Sequence, residues 1–210
     1  MKEEQIFFQS SGITLEGLLK KQEAFSLRGG VVLCHPHPQY GGDMYNPVIA
    51  SGVRSAQEAG FSTLRFNFRG VGKSGGTYSE GVGESEDVQA AFDTLSAELG
   101  GPNQSLVLLG YSFGAWVGAP VAVLDGRIQG MVIIAPPLQM YDFSFLKGCK
   151  KRKQIIVGSE DSFCPAPLLD EWYQTLEEPK SLDVLQGADH FFFAHQQSLL
   201  PLLLEFFTTF

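Results

Sequence analysis

The chain has 210 residues, 44% hydrophobic, 12% aromatic and 18% charged, a composition that can bury one sizeable core and excludes disorder. Fifteen Lys and Arg against 23 Asp and Glu leave a net charge of −8, which repels phosphate backbones and argues against nucleic-acid binding. The three cysteines, Cys34, Cys149 and Cys164, are too few and too scattered for a disulfide framework or a zinc cage.

Met1 to Gln5 carries two acids and no apolar stretch of the kind a secretory leader needs. Ile6 to Phe8 and Ile13 to Leu19 read as a leading hairpin that turns at Ser10-Ser11-Gly12. Gly30 to Cys34 is wholly apolar, as expected of a strand buried on both faces. A helix starts at Asn46-Pro47, an N-cap followed by proline at the first helical position, and ends before Gly60. The next strand is Phe61 to Phe68. A glycine-rich loop leads to a helix opened by Glu84, Glu86 and Asp87, whose Val88, Ala91, Phe92, Leu95 and Leu99 form one apolar stripe.

Strand Ser105 to Leu109, helix 113–124, and strands Gly130 to Ile134 and Gln154 to Val157 come next. Helix 166–177, strand Ser181 to Leu185 and a helix from about 196 complete the pattern. Pro120 is expected to kink or end its helix. The leucine-rich run from Ser198 to Phe210 falls short of the ~20 residues that span a bilayer, and Pro201 and Glu205 interrupt it, so no membrane span and a cytoplasmic location are expected. Alternating strands and helices predict a single α/β domain over residues 1–210, with a mostly parallel sheet of seven or eight strands covered on both faces. In such sheets ligands bind outside the carboxyl ends of the strands, so the residues that follow each strand carry the information.

Gly110-Tyr111-Ser112-Phe113-Gly114 is a G-x-S-x-G pattern set between a strand and a helix, the arrangement that lifts a nucleophilic serine into a crevice. Gly72-Lys73-Ser74-Gly75-Gly76 matches the same pattern without a helix behind it, so context selects Ser112. A serine needs a histidine base, and His190 follows the Ser181 to Leu185 strand, with His195 as the alternative. The imidazole needs a carboxylate, and Asp161 follows the Gln154 to Val157 strand; Glu160, Asp189 and Asp142 are its rivals. The chain order Ser112, Asp161, His190 is that of one known triad lineage.

Gly70-x-Gly72-x-x-Gly75 formally fits a dinucleotide fingerprint but lacks its helix, and the P-loop pattern fails because Asn67 stands where glycine is required. His35-x-His37 at a strand end is similar to the paired ligands of barrel metallohydrolases, but such barrels usually need ~250 residues and further histidines. The cation-rich run Lys147 to Lys153 reads as a solvated loop.

These motifs resemble the α/β-hydrolase superfamily over nearly the whole chain. The resemblance is carried by Gly158-x-x-Asp161, Gly187-x-x-His190, Arg69-Gly70-Val71-Gly72-Lys73-Ser74 and His35-Pro36-His37-Pro38-Gln39-Tyr40-Gly41-Gly42. The last loop looks like the oxyanion loop of small, uncapped members related to dienelactone hydrolases, although those use cysteine where this chain has Ser112. The resemblance implies an α/β-hydrolase fold with little or no cap and a serine hydrolase that needs no cofactor or metal. Its substrate would be a carboxylic ester or thioester; a peptidase or amidase with the same triad, or a catalytically silent binding protein, are the alternatives. The oxyanion would be held by the N–H of Phe113 and one from the histidine loop, His37 first and Tyr40 next, since Pro36 and Pro38 have none. His35 is expected to brace that loop. Tyr40, Tyr45, Phe113, Tyr141, Phe143, Phe163 and Phe191 are expected to form an apolar substrate wall.

Overall fold

A computed structural model describes residues 3–23, 27–101 and 103–210. Strands β1 (Glu4–Ser10), β2 (Ile13–Lys20), β3 (Gly29–Cys34), β4 (Phe61–Phe66), β5 (Leu106–Tyr111), β6 (Ile128–Ile134), β7 (Arg152–Gly158) and β8 (Lys180–Leu185) form one sheet. Their order is β1-β2-β4-β3-β5-β6-β7-β8. The β1–β2 hairpin joins β4 antiparallel, and every pairing from β4 to β8 is parallel. The helices are α1 (Pro47–Glu58), α2 (Val82–Glu98), α3 (Phe113–Leu124), α4 (Ala166–Gln174) and α5 (Gln196–Thr208).

Alternation along the central strands builds two cores. Leu106 and Leu108 of β5 join one with Phe92 and Leu95 of α2. Val107, Leu109 and Tyr111 join the other with Ile49 of α1 and Leu199 and Leu203 of α5. Because both faces of β3 and β5 are covered, their sequences are apolar throughout rather than alternating.

Of the two outcomes expected at Pro120, ending the helix does not occur: α3 continues to Leu124, its buried faces holding it against the proline's missing N–H. Two local readings need correction. Phe68 lies beyond β4, because Asn67 leaves the sheet to accept from the Met44 amide (2.8 Å) and donate to Glu16 (2.7 Å). The cation run is not wholly solvated. Lys151 Nζ donates to the Ala122 and Asp125 carbonyls (2.6 Å each), tying down the end of α3, and buried Lys153 reaches the Glu177 carbonyl at 2.7 Å.

The β6–β7 connection carries one short 3₁₀ turn, Ser144–Leu146, and forms no lid over the sheet. Among the described residues no helix is long and apolar enough to cross a membrane.

Candidate active site

β5 leads directly into α3 through Ser112, whose φ of 53° and ψ of −117° are costly for a residue with a Cβ. The flanking glycines make that turn possible. A Cβ on Gly110 would overlap the Ala115 backbone, and one on Gly114 would overlap the carbonyl oxygens of Cys34 and His35. The G-x-S-x-G spacing therefore sets the start of α3 hard against the end of β3. The Ser112 amide donates to the Ile134 carbonyl at 2.9 Å and fixes the turn to β6 as well.

Two further strand ends complete the cluster. Asp161 follows β7 and His190 follows β8, and their loops are stitched together by Ser159 N–H to Leu185 O and Glu160 N–H to Ala188 O, both 2.9 Å. Ser112 Oγ lies 2.9 Å from His190 Nε2, and His190 Nδ1 lies 2.8 and 3.0 Å from the two Asp161 oxygens. A carboxylate only accepts, so Nδ1 carries the proton and Nε2 is left to accept from the serine hydroxyl. Asp161 Oδ1 also accepts from the Phe163 and Cys164 amides at 2.8 and 3.1 Å, which fixes the carboxylate. Tyr111 Oη donates to the His190 carbonyl at 2.9 Å and fixes the backbone that carries the imidazole; burial pushes this phenol's pKa up. Ser112, His190 and Asp161 are all buried.

Of the rivals, Glu160 is exposed and the others are engaged elsewhere. His195 Nδ1 donates to the Phe193 carbonyl at 2.8 Å, Asp142 accepts from Ser144, and Asp189 accepts from the Phe191 and Phe193 amides. Ser74, centre of the second G-x-S-x-G, is buried; it donates to the Asn67 carbonyl at 2.7 Å and accepts from the Glu16 amide at 3.0 Å.

In the loop after β3, His35 accepts from the Phe68 amide at Nε2 (3.1 Å) and donates from Nδ1 to the Pro36 carbonyl (2.6 Å). Both nitrogens are thus used by the neutral imidazole, and burial pushes its pKa down to about 4. Because the folded value lies below the ordinary 6.5, the unfolded chain binds the extra proton between those values. This contribution to stability is complete above pH 6.5 and is lost as pH falls through 4, a loss of about 3 kcal/mol. His35→Gln, which can keep one donor and one acceptor, is expected to show a visibly smaller drop in urea-unfolding stability between pH 7.5 and 4.5 than the native chain. Equal drops would remove His35 as the cause.

The His37 carbonyl accepts from the Tyr40 and Gly42 amides at 3.1 Å each, closing a 3₁₀ turn over Pro38–Tyr40. Tyr40's N–H is therefore spent inside the loop, whereas the His37 N–H has no acceptor among the described residues. The His37 ring packs 4.8 Å from that of Phe113, so the two residues border the same space; burial lowers the pKa of this imidazole.

A cleft of about 520 Å³ opens beside Ser112 and His190. Of the expected wall residues, Tyr40, Phe113, Tyr141, Phe163 and Phe191 line it, Tyr40 at the exposed rim. Two do not. Tyr45 stands outside it under the Arg65 guanidinium, 5.4 Å from ring to charge. Phe143 is drawn into the core against Phe145 and Trp172 because its loop folds back on α3. Met140 and Pro137 line the cleft and carry no local sequence signal, whereas Asn46, which also lines it, is legible only as the N-cap of α1. Trp116, stacked on Tyr141 at 4.1 Å, backs the wall from α3.

Comparison with known proteins identifies the family and the fold. Residues 31–152 match the model of the alpha/beta hydrolase family. An uncharacterised Rickettsia prowazekii (strain Madrid E) protein, RP471, is 36% identical over 197 residues, 90% of this chain and 82% of that protein. An alpha-beta serine hydrolase homologue from Coxiella burnetii is 32% identical with a TM-score of 0.89, covering 98% of this chain and 97% of that one. XC6422 from Xanthomonas campestris, a serine hydrolase without a lid, is 28% identical with a TM-score of 0.86 over 98% of this chain and 93% of that one.

Proposed function

Because this chain belongs to the alpha/beta hydrolase family, we propose that it is a single-domain serine hydrolase that transfers the acyl group of a carboxylic ester or thioester to water. The observation that carries the reading is the 2.9 Å approach of Ser112 Oγ to a His190 imidazole whose other nitrogen is held by Asp161. Ser112 Oγ attacks the carbonyl carbon while His190 Nε2 takes its proton. The oxygen that becomes negative is received by the Phe113 and His37 amides at the positive end of α3, each such donor being worth on the order of 3 kcal/mol of transition-state stabilisation. Collapse expels the alcohol or thiol, which leaves with the proton from His190. Water then attacks the acyl-serine with His190 again as base, releasing the acid and the free hydroxyl. The chemistry calls on no cofactor.

A fluorophosphonate probe tests the nucleophile directly. Intact-mass and peptide analysis should find a single adduct at Ser112, formed in minutes and abolished in Ser112→Ala. Absence of labelling, or labelling at Ser74 instead, would defeat the assignment.

A further inference from the structure

We propose, resting on the serine-hydrolase reading above, that this cleft selects uncharged carboxylic esters and discriminates against anionic ones, including thioesters of phosphate-bearing thiols. Among the described residues that line it there is no lysine or arginine. The charged side chains hydrogen-bonded to its lining residues His190 and Phe191 are carboxylates. Asp161 stands behind His190, and Asp189 lies beneath the loop of Phe191 and Phe193, accepting from both their amides. On the opposite side Glu84 caps α2 through the Ser79 and Gly81 amides, next to Tyr78, whose hydroxyl meets His37 Nε2 at 3.3 Å. Burial raises the pKa of Tyr111, with Asp161 and Asp189 adding to it, and burial raises that of Tyr78 beside the cleft, with Glu84 and Glu80 adding to it. Arg69 does not offset it, because its guanidinium is committed to Asp87 at 2.8 and 3.0 Å and to Glu86 at 3.3 Å. The positive end of α3 serves the forming oxyanion.

The leaving group meets a second barrier. Its oxygen or sulfur must come within reach of His190 Nε2, and that ring is flanked by Phe163 at 4.7 Å and by the edge of Phe191 at 5.4 Å. A neutral aryl or alkyl group gains contact there. A phosphorylated one would give up hydration without finding a cation to replace it.

Two matched pairs test the proposal on the wild-type protein. One compares 4-nitrophenyl butyrate with mono-4-nitrophenyl succinate, equal in chain length but opposite in whether the acyl end is charged. The other compares the neutral thioester S-acetyl-N-acetylcysteamine with acetyl-coenzyme A. The neutral member is expected to have the higher kcat/KM by about tenfold or more in each pair that is cleaved, with a gap that narrows as salt is raised. Met140, half-exposed at the cleft, gives the reverse test: Met140→Lys should shift both ratios toward the anion by about tenfold.

Parity or reversal in either pair, or a ratio that Met140→Lys leaves unmoved, overturns the inference while Ser112-dependent turnover of 4-nitrophenyl butyrate leaves the hydrolase standing. If wild type cleaves no neutral ester, or Ser112→Ala cleaves it as fast, the hydrolase reading itself fails and the inference goes with it.

Discussion

Ser112→Ala is expected to lower kcat/KM for a neutral 4-nitrophenyl ester by on the order of 10⁴-fold or more, with the remaining rate set by binding and the oxyanion amides alone. The size follows from the absence of a substitute. Ser74 has its hydroxyl committed to Asn67 and the Glu16 amide, and the buried thiols of Cys34 and Cys164 are held protonated by burial, Cys164 with its pKa pushed up to about 12. The replacement also separates chemistry from folding. Alanine keeps the Cβ and hence the same unfavourable φ of 53°, and the Ser112 N–H to Ile134 bond is a backbone bond that survives. Stability should therefore change by less than about 1 kcal/mol, read as an unshifted urea midpoint. Full turnover in the variant would leave the 2.9 Å contact with His190 without a chemical role.

How far such a site can be read without coordinates depends on whether the determining contacts are local. Ser112, Asp161 and His190 each sit one tight turn beyond a β-rich run, and the turn residues around them are small because the backbones crowd. Gly110 and Gly114 leave their mark in the sequence because nothing larger fits against Ala115 and the Cys34 and His35 carbonyls. Strand positions were visible for the same kind of reason: β3 and β5 lie between two cores, and an unbroken apolar run is what that environment demands. β7 begins two residues before the Gln154 to Val157 run, at Arg152 and Lys153, which look like loop residues; Lys153 is buried because its ammonium finds the Glu177 carbonyl, a partner 24 positions away.

The cleft wall obeys no local rule. Tyr141 and Phe143 are two residues apart and equally aromatic, yet one faces the cleft while the other packs on Trp172, according to how the β6–β7 loop lies on α3. Met140 and Pro137 reach the cleft through backbone paths that no spacing encodes. Tyr40 shows the same limit at a single atom, since its amide belongs to the right loop but is consumed by the His37 carbonyl. Bond chemistry is thus more legible than substrate, because Ser112, Asp161 and His190 follow strand ends in short glycine-containing turns whereas the cleft wall is set by long-range packing.

Asp161→Asn carries the second large expectation, a fall in kcat on the order of 10³- to 10⁴-fold with KM little changed. The argument turns on which atom faces which. Asp161 Oδ1 accepts from the Phe163 and Cys164 amides as well as facing His190 Nδ1, and both amides are donors that must keep an acceptor. An asparagine placed there keeps its carbonyl oxygen on those two N–H groups and so turns its NH₂ toward the imidazole. Nδ1 must then accept, which moves the ring proton to Nε2 and leaves no lone pair for the Ser112 hydroxyl. The geometry survives while the tautomer is wrong, so substrate should still bind and the fold should hold. Nucleophilicity is lost through one proton on the far nitrogen of a ring that has not moved. Two observations check the tautomer separately from the rate: proton NMR should lose the downfield Nδ1–H resonance of His190, and labelling of Ser112 by the fluorophosphonate should slow in proportion to kcat. An asparagine variant that reacts at the native rate would mean that the 2.8 Å contact with His190 does not set the protonation of the base.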